Sequence, residues 1–578
     1  MKIPFVNKIK NVWGLFEGNK LSFSLILGLI ALTSIFEMFS VGMVLPILES
    51  VINDESNVGM SRVFSFLLDM FPRESWTLAI ITLLMIFSIL TVASKIFTTY
   101  YSQKVIQKIQ LNWRLELFEK YLRSVYEFVL RFKQGEIIHN INVEVQQAAG
   151  LLNTIIQWIT NLLIGVSIYI LLLVSSFYVT LFLTVIIVGI MYLVKILGER
   201  FQLKLSKVII KSNQQLSSFA AEAIMALQQV KIFSLENHFM KNYEKAGLKR
   251  NHAWVSRATI QQIPGNITFM IMPLVLLVFY LYFTFISNQA FKDFIPTLGF
   301  VFVGFTRISA SLMSVTQQRM IIYNNLPSLQ TVEKILNTNI GKEEIESGQV
   351  FDNLGNDIEI KDITFSYLKD QTIFENLDLT IPKGKMTAMI GPSGSGKSTL
   401  SYLLVGLYKP KSGQILINGK NISEYSMESW RRKIGYVTQD TYIFNMSIRE
   451  NIKVGKPEAT DEEVMQAAEA AHCTEFIDRL PQGMETIVGE RGMKLSGGQR
   501  QRIAIARAMI RKPELYIFDE ATSALDNHSE KLIQKSIEEI SRQSTMLVIA
   551  HRLTTIENAD VVYDLGEINS EKFVTYKS

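Results

Sequence analysis

Cysteine is nearly absent: Cys473 is the single thiol in 578 residues. One thiol excludes an intrachain disulfide framework and argues against a thiolate metal site. Charge is scarce as well. Asp, Glu, Lys and Arg make up 19% of the chain, and its net charge is only +5. That near balance offers no bulk field for a nucleic acid, so none is expected as a partner. Apolar residues stand in place of charge. They reach 48% of the chain, and the mean hydropathy is +0.21. The length exceeds one ordinary domain, and the apolar content is unevenly spread, which points to membrane spans in part of the chain. The first long apolar run starts near Leu21 and is too long for the core of a cleavable signal peptide, so none is expected.

Six long apolar runs, at about 21–48, 76–101, 154–176, 178–197, 267–287 and 294–316, each approach the roughly 20 residues a helix needs to cross hydrocarbon. Ser175, Ser176 and Phe177 predict a tight turn between the third and fourth. Lys2, Lys8, Lys10 and Lys20 precede the first run, which places the N-terminus in the cytosol. The segments after runs two and four are rich in Lys and Arg and read as cytosolic too. Both read as long helices, turning near 124–132 and 232–240, and these turns are candidates for contact with a cytosolic domain. Residues 3–16 look amphipathic and suit a membrane surface. The expected organisation is an all-α six-helix transmembrane domain over 1–320, a polar linker over 321–356 and an α/β domain over 357–578.

In that last part MTAMI (386–390) reads as a buried strand, GPSGSGKS (391–398) follows, and a helical stretch comes next. This is the P-loop pattern in its expected context. Gly391, Gly394 and Gly396 let the backbone wrap phosphate oxygens, and Ser393, Ser395 and Thr399 complete the nucleotide-binding stretch. Lys397 can neutralise the β- and γ-phosphates of ATP, and Ser398 can ligate Mg²⁺. ELYIFDE (514–520) is an apolar strand ending in two carboxylates. Asp519 suits the Mg²⁺ shell, and Glu520 is placed to polarise an attacking water as general base.

With these residues the chain resembles an ABC transporter of the exporter type. KLSGGQ (494–499) looks like the family's signature motif and supplies Ser496, Gly497, Gly498 and Gln499. Gln439 matches the glutamine of the Q-loop, a catalytic and metal-shell position, and His551 the switch histidine. Asp526 in SALD matches the D-loop, Tyr367 the aromatic residue that stacks on adenine, and VGERG (488–492) the loop that precedes the signature in exporters. The resemblance implies ATP and Mg²⁺ as cofactors and ATP hydrolysis coupled to transport. It also implies a half-transporter, in which the P-loop of one copy faces the signature of another. The expected partner is a second copy, with a related chain as the alternative, among the lipids of a bacterial cytoplasmic membrane.

The substrate is less legible. Glu37, Lys95 and Arg307 are ionisable residues in or near spans, where charge usually faces a cavity or a partner. They are the candidate substrate cavity, and its two cations would suit an anionic headgroup. The run IFEMFSVGMVLPIL (35–48) resembles the first span of bacterial lipid-linked saccharide flippases, which implies a lipid or lipid-linked saccharide as substrate. A multidrug or peptide exporter is the alternative, although no N-terminal peptidase domain is visible. A gated channel or regulatory protein of this fold is a further one, disfavoured by Glu520 and by the lack of a large insertion.

Overall fold

The computed structural model describes residues 20–52, 71–72, 75–130, 132, 134–285, 295–338, 348–368, 371–520, 527–542, 544–550 and 556–566. The amphipathic segment expected over 3–16 lies outside them. The chain divides into two compact units. One comprises Met1–Leu117 and Ile138–Asn337, the other Phe118–Ile137 and Thr338–Ser578.

The first unit is helical. Its helices are α1 (Lys20–Gly42), α2 (Val44–Ile52), α3 (Trp76–Arg123, which runs on into the other unit), α5 (Gln134–His139, which begins in the other unit), α6 (Val145–Ser175), α7 (Phe177–Met225), α8 (Leu227–Ile232), α9 (Glu236–Phe285) and α10 (Ile295–Asn337). Among the described residues four helical stretches are long and apolar enough to cross a membrane: Lys20–Glu49, Trp76–Arg123, Gly135–Ser175 and Ile295–Ile322. The fourth and fifth apolar runs fall in α7 and α9, where many side chains lie outside the described residues. The expected turn at 175–177 is a single residue, Ser176, between α6 and α7. The break expected at 232–240 falls between α8 and α9.

Helix α6 packs along α10 and α1, while α7 packs along α9. Small residues set the approach of α6 to α10. A Cβ on Gly304 would meet a Leu172 methyl at 2.7 Å, and one on Gly165 would meet the Ser311 hydroxyl at 3.0 Å. Glycine lets helices approach closely where lipid removes the hydrophobic drive for association. The core of this part joins Ile164, Ile168, Leu171 and Leu172 of α6 to Phe300, Val301, Phe305 and Ile308 of α10.

The second unit is α/β. Strands β1 (Ile358–Leu368), β2 (Gln371–Ile381), β4 (Ser412–Ile417) and β5 (Lys420–Asn421) form an antiparallel sheet in the order β2-β1-β4-β5. A parallel sheet runs β6 (Ile434–Val437), β7 (Leu515–Asp519), β8 (Thr545–Ile549), β3 (Met386–Ile390), β9 (Val561–Asp564). Strands β7 and β8 are buried along their whole length and β3 nearly so. Covered on both faces, such strands read as continuous apolar runs, which is why MTAMI and LYIFD were legible. Helices α11 (Lys397–Leu404), α12 (Gly497–Met509) and α13 (Asn527–Ser541) belong to this unit. So does the short α4 (Tyr126–Leu130), within the first of the two cytosolic turns expected from the sequence.

Candidate functional site

In an open parallel sheet, ligands bind outside the carboxyl ends of the strands. Here the chain leaves β3 into the P-loop, β7 into Glu520 and β6 toward Gln439. The sheet order places β7 and β8 between β6 and β3, so these strand ends form one row. His551 follows β8 by two residues, and it lies outside the described residues, as does Asp526.

The P-loop glycines have backbones that other residues resist. Gly391, Gly394 and Gly396 sit at φ 141°, 86° and 97°. A Cβ on Gly396 would stand 2.6 Å from the Phe374 ring, so the loop cannot carry a side chain there without moving. Gly396 is the cap of α11, and the helix N-terminus opens where the loop ends. Backbone N–H groups and the helix dipole make that end an anion site. Lys397 is 6% exposed, and its ammonium donates to the carbonyl oxygens of Gly391 (2.8 Å) and Pro392 (3.0 Å). Its charge is thus held at the mouth of the loop it is expected to serve.

Two hard oxygen donors meet beside it. The Ser398 hydroxyl donates to Asp519 Oδ1 at 3.2 Å, and the Tyr436 hydroxyl to Oδ2 at 3.4 Å. Asp519 is 3% exposed. Burial pushes its carboxyl above the usual range; the Ser398 hydrogen bond opposes that rise, and the Glu520 charge adds to it. A desolvated carboxylate facing a hydroxyl is a donor pair that fits Mg²⁺. Gln439 and Glu520, 81 residues apart, are joined by a 2.6 Å hydrogen bond from Gln439 Nε2 to Glu520 Oε2. Glu520 itself holds a left-handed backbone, φ 49°, at the end of β7. Strain of this kind persists where the surroundings fix the residue.

Tyr367 is 44% exposed, with its hydroxyl hydrogen-bonded to Thr399 Oγ1 at 2.9 Å. The sequence did not disclose what supports it. Tyr408 packs edge-on against Tyr367 with ring centroids 5.2 Å apart, and Tyr126 packs edge-on against Tyr408 at 5.8 Å. Burial and the neighbouring Tyr367 and Tyr126 push the Tyr408 phenol up to about 12. Tyr408 and Tyr436 are the residues the sequence reading missed. Tyr436 opens the YVTQD stretch that carries Gln439 and Tyr408 ends the stretch read as the P-loop helix, but neither was given a role there.

Ser496 caps α12, its hydroxyl accepting from the Gln499 N–H at 3.3 Å while Gln499 Oε1 accepts from the Ser496 N–H at 2.9 Å. This capping box leaves Gly497 and Gly498 at the first turn of the helix. Ser496 is exposed, so this second helix N-terminus is open to solvent. In the helical unit, Glu37, Lys95 and Arg307 come together. Lys95 Nζ lies 2.7 Å from Glu37 Oε2, and Arg307 Nη1 lies 3.8 Å from Oε1.

Comparison with known proteins bears on the family and the fold. Residues 374–523 match the family model described as ABC transporter, and residues 40–319 that described as ABC transporter transmembrane region. The heterocyst differentiation ATP-binding protein HepA of Nostoc sp. is 31% identical over 93% of this chain and 88% of its own length. The ATP-dependent lipid A-core flippase of Coxiella burnetii is 32% identical over 82% of this chain and 80% of its own. A solved structure of a bacterial Atm1-family ABC exporter with ATP bound superposes with a TM-score of 0.74, covering 95% of this chain and 94% of that one at 24% identity, which speaks for the fold alone.

Proposed function

The chain belongs to the ABC transporter family, as a membrane-embedded exporter whose ATPase domain couples hydrolysis to transport, and from that premise we propose that it moves an amphipathic substrate, a lipid or lipid-linked saccharide, across the membrane by alternating access. The observation that carries the substrate class is the similarity to a lipid A-core flippase over most of both chains. The charged cluster inside apolar helices supports it.

The geometry supports the following residue roles. The Gly391–Thr399 loop and Lys397 bind the phosphates of ATP, and Tyr367 offers its exposed face to the adenine. Ser398 and Asp519, with Gln439 nearby, would hold Mg²⁺, which supplies positive charge against the phosphate oxygens when bound. Glu520 acts as general base toward the attacking water, and Gln439, hydrogen-bonded to it, keeps its carboxylate oriented. His551 and Asp526 are assigned to γ-phosphate sensing and to the interface on motif grounds.

Two copies are proposed to pair head to tail, so that the open N-terminus of α12, with Ser496, Gly497 and Gly498, closes on the nucleotide of the other copy. Closure requires that the paired state bind ATP far better than the separated one. The N-terminus and the ATPase domain are placed in the cytosol of a bacterium, with the spans in its inner membrane. The test is ATP-dependent movement of a fluorescent polyprenyl-diphosphate-linked saccharide across sealed liposomes, with Glu520→Gln as control. An active ATPase that moves no such lipid would remove this substrate class and direct the search to drugs and peptides.

A further inference from the structure

Three helices bring one carboxylate and two cations to one place. Glu37 lies on α1, Lys95 on α3 and Arg307 on α10, each in a stretch apolar and long enough to cross a membrane. Hydroxyl pairs fix the α1–α3 seam on either side. Thr33 and Ser94 share a 2.6 Å hydrogen bond, and Ser40 and Ser88 one of 3.0 Å. Within this seam the Glu37 side chain is 8% exposed, while those of Lys95 and Arg307 are 43% and 59% exposed. The carboxylate is therefore the buried member, and the two cationic side chains are the more exposed ones.

The charges do not balance. Lys95 at 2.7 Å is a close partner for Glu37. Arg307 at 3.8 Å lies beyond the roughly 2.7–2.9 Å of a charge-assisted hydrogen bond, so its guanidinium fork is not engaged by that carboxylate. Among the described residues one positive charge is left over, in a segment where uncompensated charge is costly. A purely structural ion pair would need one cation, and the second calls for another anion.

We propose that Lys95 and Arg307 form the headgroup site for a phosphate-type anion carried on an apolar tail, and that Glu37 is the built-in counter-ion the headgroup displaces. The guanidinium fork of Arg307 matches two phosphate oxygens, and the Lys95 ammonium serves as a point charge beside it. Glu37 holds Lys95 while the site is empty and competes with the ligand for it. This inference rests on the lipid-moving reading above and deepens it. It makes a prediction of unusual sign: removing the Glu37 charge strengthens ligand binding.

The experiment uses full-length protein in phosphatidylcholine nanodiscs, with excess ADP occupying the P-loop. Radiolabelled farnesyl diphosphate is titrated, with farnesol and sodium pyrophosphate as competitors and elution as a single wild-type peak as the check on folding. Arg307→Gln is expected to weaken binding about tenfold, the effect of losing one charge-assisted contact, and Arg307→Lys to restore part of it. Glu37→Gln is expected to tighten binding several-fold, and farnesol to compete poorly. Pyrophosphate competing only at far higher concentration assigns the ligand to lipid, whereas equal competition would overturn the tail and leave a soluble anion. Weakening by Glu37→Gln in protein that elutes as wild type, or equal binding of farnesol, would overturn the proposal. Should Glu37→Gln not fold, unchanged binding in Arg307→Gln would do the same. Binding here without lipid movement in liposomes would sink the flippase reading alone. Lipid movement unimpaired by Arg307→Gln would sink the site alone.

Discussion

Glu520 combines a left-handed backbone with a short hydrogen bond from Gln439, so its carboxylate has a defined direction. If it is the general base, Glu520→Gln leaves ATP affinity near wild type and lowers hydrolysis by roughly 10²–10⁴-fold. Phosphate release and nucleotide binding measured on the same preparation check this, and wild-type turnover would overturn the assignment. Tyr367 is testable in the same way. Base stacking contributes roughly 1–3 kcal/mol, so Tyr367→Ala is expected to raise the KM for ATP about tenfold, with Tyr367→Trp restoring it. A KM unchanged in Tyr367→Ala would remove the stacking role. Both side chains were legible in the sequence because each sits in a short motif with a local reason for its place. Tyr436 and Tyr408 were not, since nothing in their neighbours along the chain says what they touch.

The elements were legible where their physics is local. A strand, a glycine loop and a helix were expected over 386–408; β3, the loop and α11 lie there, the helix ending earlier, at Leu404. The loop geometry sharpens one prediction. Gly396 has φ 97° and a ring atom of Phe374 2.6 Å from where a Cβ would stand. Gly396→Ala is expected to abolish measurable ATP binding while the protein still extracts and elutes as wild type; ATP affinity retained within twofold would contradict that. The short helix α4 belongs with the ATPase unit, with Tyr126 against Tyr408. Such an aromatic pair is worth about 0.5–1.5 kcal/mol. Tyr408→Ala removes that contact and the support of Tyr367 together. It should therefore raise the KM for ATP several-fold, more than Tyr126→Ala does, in a comparison of ATPase kinetics for the two variants.

For the whole molecule, the proposed pairing brings the open N-terminus of α12 to the nucleotide bound by the other copy. If two copies pair head to tail, Lys397→Ala and Ser496→Arg each inactivate the homodimer. Mixing the two variants before reconstitution then regenerates one intact site, because the good P-loop of one copy meets the good signature of the other. ATPase activity should return in the mixture to roughly a quarter of wild type, since about half the dimers are mixed and each carries one of two sites. A mixture as inactive as its components would place both halves of the site in one chain.

What depends on neighbours along the chain could be read from the residues alone. The lengths of its apolar runs set the membrane-crossing helices, because hydrocarbon demands that backbone groups be satisfied within each segment. Its glycines set the phosphate loop, and Ser496 with Gln499 set the cap of α12. Which distant groups meet is set by the packing of elements far apart in the chain. Gln439 reaches Glu520 because β6 and β7 are paired, and Glu37 reaches Lys95 and Arg307 because three apolar helices pack at one seam. Strand order and helix packing are settled by long-range burial, in which many sequences of similar pattern compete. No short stretch of residues carries that information.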